Sequence, residues 1–277
     1  MNRIPFGIRR LDTTIGGGAP PGSVVLLSGQ AGAGAREFMY TCAVMNGLVE
    51  GDPNLFDLYY GSIDDRASVS DEVHYLSFTA EERQVRREMA IAMDEDVVDS
   101  GVKNVTFHDL SPEYFRLSPV PREWYADRTT SITNLGQNAD RMSVAEAIGE
   151  RLTQHASGNL VVIDSITDLM SSTNDPGWHN VPVLLKGLSR AAYDWGGLIL
   201  VHASQETLDQ TQHGQLMDAV DGTLLFEWES GGSSRARTMV VKQFRGVLSR
   251  IEAENIVRFE TEIGDAGFDI SDIRKIR

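Results

Sequence analysis

The sequence predicts an α/β protein: a mainly parallel sheet flanked by helices, with antiparallel strands at the C-terminal edge. Three observations predict it. An apolar run, GSVVLLS at residues 22–28, leads directly into a glycine-rich turn and a helical stretch. Strand and helix signals then alternate to about residue 203. Beyond Gly222 the texture changes to strand-like runs separated by Gly- and Ser-rich turns. Alternation gives parallel strands with helices on both faces, and closely spaced strands give antiparallel additions.

The elements follow in order. Residues 22–28 have the continuous apolar character of a strand buried on both faces, and a helix is expected over 36–50. Residues 56–63 are a second strand candidate, closed by Asp64 and Asp65. Thr79 and Glu82 have capping-box spacing and open a charged helix ending near Ser100. Residues 103–108 read as a third short strand, and Ser143 with Glu146 repeats the capping pattern ahead of another helix. A short buried strand spans 160–163, a helix 181–195 and a strand 197–203. Residues 224–228, 239–244 and 256–262 read as antiparallel strands. Residues 111–140, rich in Pro, Arg and Asn and weakly periodic, are expected to be an irregular surface insertion, a lid or a subunit contact. No repeat or flexible linker divides the chain, so 1–277 is expected to be a single domain.

Composition narrows the function classes. Hydrophobic residues make up 41%, enough for a proper core. There is no run of about 18 apolar residues and no charged-then-apolar leader, so no membrane span is expected and a cytoplasmic protein fits. A single cysteine, Cys42, excludes an internal disulfide and reads as a buried structural thiol. The net charge of −15 argues against a broad nucleic-acid footprint, which needs a basic patch. The lysines are Lys103, Lys186, Lys242 and Lys275, and the remaining basic residues are arginines. An acidic surface with few lysines looks like that of a salt-loving archaeal protein; ordinary acidic composition is the plain alternative.

The chemistry concentrates in GQAGAGAREF, residues 29–38. It has the frame of a phosphate-binding loop, G-x-x-x-x-G-K-[ST]. Gly29 and Gly34 hold the glycine positions, Ala35 stands where the lysine belongs and Arg36 where the magnesium-binding hydroxyl belongs. Gly29, Gln30, Ala31, Gly32, Ala33, Gly34, Ala35 and Arg36 are thus the candidate nucleotide-binding residues. A backbone nest and a helix N-terminus remain available for phosphates. Loss of the lysine removes a charge-assisted bond of ~1.5–3 kcal/mol, or roughly one to two powers of ten in affinity. Hydrolysis suffers more, because lysine and magnesium neutralise charge developing in the transition state. Three readings of Arg36 stand side by side: a bidentate phosphate ligand, a cation in the magnesium site paired with an acid, or a solvated residue of the first helical turn.

Asp164 ends the strand in NLVVIDSITDLM, where such ATPases place the acid that holds magnesium through water. Retention of this acid without the hydroxyl suggests that Arg36 and Asp164 form an ion pair in place of the metal. Asp64 or Asp65 could orient an attacking water, though adjacent acids also occur as turn residues. His202 and Gln205, in LILVHASQET, could sense a terminal phosphate or form a satisfied polar cluster.

The opening RIPFGIRRLDTTIGGGAPPGSVVLLSGQAGAGAREF resembles that of KaiC-like proteins of the RecA superfamily, including haloarchaeal KaiC/GvpD-type ATPase-like members. Gly7, Leu11, Asp12, Gly16, Gly17, Gly18, Pro21, Gly22 and Ser23 occupy the signature positions. LVVIDSITDL, AVDGTLLFE and VVKQFRG continue the likeness, which covers nearly the whole chain. It implies a RecA-like P-loop NTPase core, ATP and magnesium at the loop, and often a six-membered ring. It further implies paired acids where Asp64 and Asp65 stand, and a contact to the neighbour's nucleotide from Lys242 and Arg245. The spacing of Lys242 and Arg245 is one residue longer than the family's, so only Arg245 and Gly246 carry over directly. Three functional readings follow. The first is a regulatory or scaffold protein, homo-oligomeric and with an unidentified protein partner, binding ATP weakly or not at all. The second is an active ATPase using Arg36 as substitute cation. The third is a recombination-type DNA-binding protein.

Overall fold

The computed structural model describes residues 2–116, 118–125, 143–171, 177–230 and 235–275. Nine strands form one sheet: β1 (Ser23–Gly29), β2 (Val73–Ser77), β3 (Val105–Asp109), β4 (Leu160–Asp164), β5 (Leu198–Ser204), β6 (Gly222–Ser230), β7 (Arg235–Phe244), β8 (Ile256–Gly264) and β9 (Gly267–Lys275). Their order is β3-β2-β4-β5-β1-β6-β7-β8-β9. Neighbours are parallel from β3 through β6 and antiparallel from β6 to β9.

The central strands are apolar because both their faces are covered. All seven residues of β1 are buried. Val25 and Leu27 face one core, Val24 and Leu26 the other. The first core lies under α2 (Ala35–Gly51), α3 (Pro53–Tyr59), α4 (Glu82–Ala92) and α5 (Glu95–Gly101); the second lies under α7 (Val144–His155) and α9 (Asn180–Trp195). Phe38 of α2 meets Phe6, Phe226 and Phe268 at ring-centroid distances of 5.6, 5.3 and 5.2 Å, tying the loop-bearing helix to the antiparallel strands. Cys42 is buried on the same helix, and burial raises its thiol pKa well above the ordinary value.

Several expectations need correction. Residues 56–63 are not a strand: α3 covers their first half, opened by Asp52, whose Oδ1 accepts from the N–H groups of Asn54 and Leu55 at 3.1 Å, and by Pro53. The second strand is Val73–Ser77 instead. Thr79 does not cap the following helix. Glu81 is the N-cap without a side-chain bond, and the charged stretch breaks into α4 and α5 where Asp94 starts a new helix. Residues 224–228 belong to a strand parallel to β1 on one side and antiparallel to β7 on the other. Ser143 and Glu146 do form a reciprocal capping box at α7. Within the expected 111–140 insertion, α6 (Ser111–Phe115) and a short 3₁₀ turn (Arg122–Trp124) are regular; residues 126–142 lie outside the described residues. No helix among the described residues is long and apolar enough to cross a membrane.

Candidate phosphate-loop site

The loop leaves the C-terminal end of β1 and turns into α2, the usual place for ligands in an open parallel sheet. Two glycines are dictated by packing. A Cβ at Gly29 would lie 2.5 Å from that of Ala35. Gly34, the N-cap, has φ 110° and its missing Cβ would sit 3.1 Å from the Phe268 ring. Gly34 gives the helix start no side-chain cap, so the first-turn N–H groups depend on other partners. Ala35 is buried in the crook between strand and helix.

Residues of β6, β7 and the turn after β5 bond to the loop, whose Ala31 and Gly32 remain exposed. The Trp228 backbone N–H donates to Gln30 Oε1 at 3.0 Å and its indole Nε1 to the Ala31 carbonyl at 3.0 Å. Arg237 Nε donates to the Gly32 carbonyl at 3.0 Å, and its guanidinium stacks over the Trp228 ring at 4.8 Å. The Ala31 N–H donates to a carboxylate, Glu206 Oε1, at 3.3 Å.

The structure brings Arg36 and Asp164 together. Arg36 Nη2 lies 3.7 Å from Asp164 Oδ1, with the arginine side chain half exposed and the aspartate 12% exposed. His202 Nδ1 is 3.3 Å from the same oxygen, and the Tyr75 hydroxyl donates to Oδ2 at 2.8 Å. Burial alone would raise the Asp164 pKa; the hydrogen bond and charge of His202, then Arg36 and Tyr75, reverse this and hold it below the ordinary carboxylate value. Burial alone would lower Arg36, and the charge of Asp164 turns the balance upward. His202 is thus part of this constellation. Gln205, in a 3₁₀ turn after β5, keeps a buried Oε1 that has no hydrogen-bond partner among the described residues.

Asp64 and Asp65 are not brought to the loop. Asp64 is gripped by Arg66 through Nε at 2.9 Å and Nη2 at 2.8 Å, which pulls its carboxyl pKa far down. The segment behind it bridges to Arg3 and faces Gly17, which precede β1, and runs on into the start of β2. Because β1 and β2 run the same way, this is the sheet edge opposite the loop. Both acids therefore close no strand, and the geometric basis for a water-orienting role is gone. The acids that do follow β2 are Glu81 and Glu82, paired with Arg83 at 2.9 Å and Arg86 at 2.6 Å. An acidic pair four residues beyond VHYLS was the signal for them. Arg245 is tied to Asp221 at 3.0 Å, where Asp221 also accepts from the Val24 N–H at 3.1 Å, again at the far edge. Lys242 is exposed on β7.

The six parallel strands, the antiparallel extension and the helices on both faces define the class: a RecA-type α/β core with the loop after its central strand. No family model matches the chain, and no curated protein matches it. Among solved structures, the chain is similar to a KaiC-like protein from the hyperthermophilic archaeon Pyrococcus horikoshii OT3, with a TM-score of 0.62 over 98% of this chain and 99% of that one. Identity is 17%, so the likeness establishes the fold.

Proposed function

We propose that this chain is a RecA-superfamily protein of the ATPase type whose phosphate loop no longer serves hydrolysis. It acts as a cytoplasmic regulatory or scaffold protein through contacts with copies of itself and with a protein partner. The observation that carries this reading is the Arg36 guanidinium standing 3.7 Å from Asp164 Oδ1. A cation held at that acid through water would meet the guanidinium there.

The residues present do not suit magnesium triphosphate. The loop has no ammonium and no hydroxyl at positions 35 and 36. One of its N–H groups already faces the Glu206 carboxylate, which would repel a phosphate. Trp228 and Arg237 bond to the Ala31 and Gly32 carbonyls and hold the loop backbone without adding a donor aimed at a phosphate. Gln205, with its unpartnered buried oxygen, offers a polar atom nearby without supplying positive charge. One observation favours the active-ATPase reading: the Arg36 side chain is half exposed, so its guanidinium could swing from Asp164 to a phosphate. The −15 charge supports neither a recombination role nor DNA binding. The role of Lys242 and Arg245 toward a neighbour's site is confined to an assembly, and Arg245 would first have to leave Asp221.

Calorimetry of ATP binding in high KCl, with and without magnesium, tests the reading. The expected result is weak or absent binding by the wild type and a gain of roughly ten- to a hundredfold in Ala35→Lys with Arg36→Thr. Tight magnesium-dependent binding by the wild type, with phosphate release abolished in Arg36→Ala, would establish the ATPase instead.

A further inference from the structure

On the second-core side of the sheet, away from the phosphate loop, three of the chain's six histidines meet. His74 lies on β2 and His108 on the edge strand β3, in the register that pairs His74 with Thr106 and Leu76 with His108, so both point to one face. His155 ends α7, which packs on that face. The ring centroids are 4.7 Å (His74–His155), 4.9 Å (His108–His155) and 5.3 Å (His74–His108) apart. Glu72, just before β2, places Oε2 3.0 Å from His74 Nε2. One ligand atom each of Glu72, His74 and His155 lies within 4.8 Å of the others.

The cluster is held from behind. Asn159 is buried; its Oδ1 accepts the Glu72 N–H at 3.0 Å and its Nδ2 donates to the His155 carbonyl at 2.8 Å, fixing the backbones of two of the three. His74 Nδ1 faces His108 Nε2 at 3.1 Å. The His74 side chain is 2% exposed and that of Glu72 63%, so the group is rooted in the fold and opens to solvent on the Glu72 side.

We infer that Glu72, His74 and His155 form a binding site for a divalent transition-metal ion that favours nitrogen and oxygen ligands, zinc being the representative. Imidazole and carboxylate bind zinc at about 2.0–2.2 Å, which sets donors about 3.3–3.6 Å apart in a tetrahedron. Glu72 Oε2 and His74 Nε2 already stand at 3.0 Å, and with all three donors within 4.8 Å no separation needs to close by more than about 1.5 Å. Two imidazoles and a carboxylate leave a fourth position for water, as in exchangeable or catalytic sites. With His74 Nε2 on the metal, its Nδ1–H donates to His108 Nε2, the outer bond that orients metal-bound imidazoles. The C-terminal end of α7, where carbonyl dipoles favour cations, lies beside the site. Arg151, one turn back on α7, opposes a cation from the His108 side.

The test uses the full chain, stripped with a chelator and dialysed. Cobalt(II) should give visible ligand-field bands at one equivalent per chain, zinc should abolish them by competition, and zinc should raise the melting temperature. Glu72→Gln and His155→Gln should each weaken zinc at least about tenfold, and His108→Gln about ten- to a hundredfold. Glu72 and His155 are not buried, so their variants remain folded when buried His74→Gln does not, and circular dichroism of the stripped proteins checks this. Absence of one-equivalent binding, or unchanged zinc affinity in both folded variants, would overturn the assignment.

Discussion

Two buried aspartates stand at opposite ends of the sheet and live by different means. Asp12, beside the segment that leads into β1, accepts from the N–H groups of Phe6, Gly7 and Ile8 at 2.8, 3.0 and 3.2 Å and from the Tyr60 hydroxyl at 3.2 Å. Among the described residues no ion pair answers it, and burial pushes its carboxyl up to about 7 against the pull of those bonds. Asp164, at the loop end, has one hydroxyl donor and two basic partners, and stays below its ordinary value. The difference separates a residue that organises backbone from one that holds charge. Asp12 fastens the turn at residues 6–8, whereas Asp164 holds the Arg36 guanidinium.

Substitution breaks this comparison most sharply at Asp12. Asp12→Ala leaves three backbone N–H groups and a hydroxyl buried without their acceptor, at ~1–3 kcal/mol each. Urea unfolding should report a loss of at least about 3 kcal/mol; a loss below about 1 kcal/mol would refute the knot. Asp164→Asn removes charge but keeps shape, and its arginine partner is half in water. A smaller loss, about 1–2 kcal/mol, is expected by the same measurement. A cost exceeding that of Asp12→Ala would invert the comparison.

The pH response sharpens it. A carboxyl whose pKa rises from 3.8 to about 7 on folding means the native state binds the extra proton. Its contribution is therefore fully present below about pH 4 and is lost as the pH rises through about 7. The stability of the wild type relative to Asp12→Asn should grow as the pH falls from 7 toward 4, read from denaturation midpoints; a constant difference would count against it. The smallest effect acts on both ends alike. A net charge of −15 repels itself, so the melting temperature should rise with KCl as added salt shortens the range of that repulsion. A melting temperature indifferent to KCl would contradict that.

The parallel core was legible because β1, β4 and β5 are apolar runs buried on both faces. β2 was not: five residues, all buried, include His74, Tyr75 and Ser77, which dilute the apolar signal. The aromatic-rich residues 56–63 imitated a strand, and the Asp52–Pro53 start signal of α3 outweighs that propensity in the fold. β9, with its interleaved acids in GFDISDIRK, carried too weak an alternation to stand out. At the site, the Arg36–Asp164 pair followed from two motif positions read together. The bonding of the loop to Trp228, Arg237 and Glu206 did not, since those contacts join residues 175 to 205 positions apart in the chain. Asp64 and Asp65 follow α3 rather than a strand, which leaves them at the sheet edge opposite the loop. The histidine cluster was invisible until β2, β3 and α7 met.

The central claim is that the loop's own arginine and the acid beneath it occupy the place of the metal–phosphate pair. The most direct measurement is a crystal structure grown with ATP and magnesium. The account predicts Arg36 on Asp164 with Trp228 and Arg237 still bonded to the loop carbonyls; an ordered magnesium triphosphate seated between Gly29 and Arg36 would contradict it.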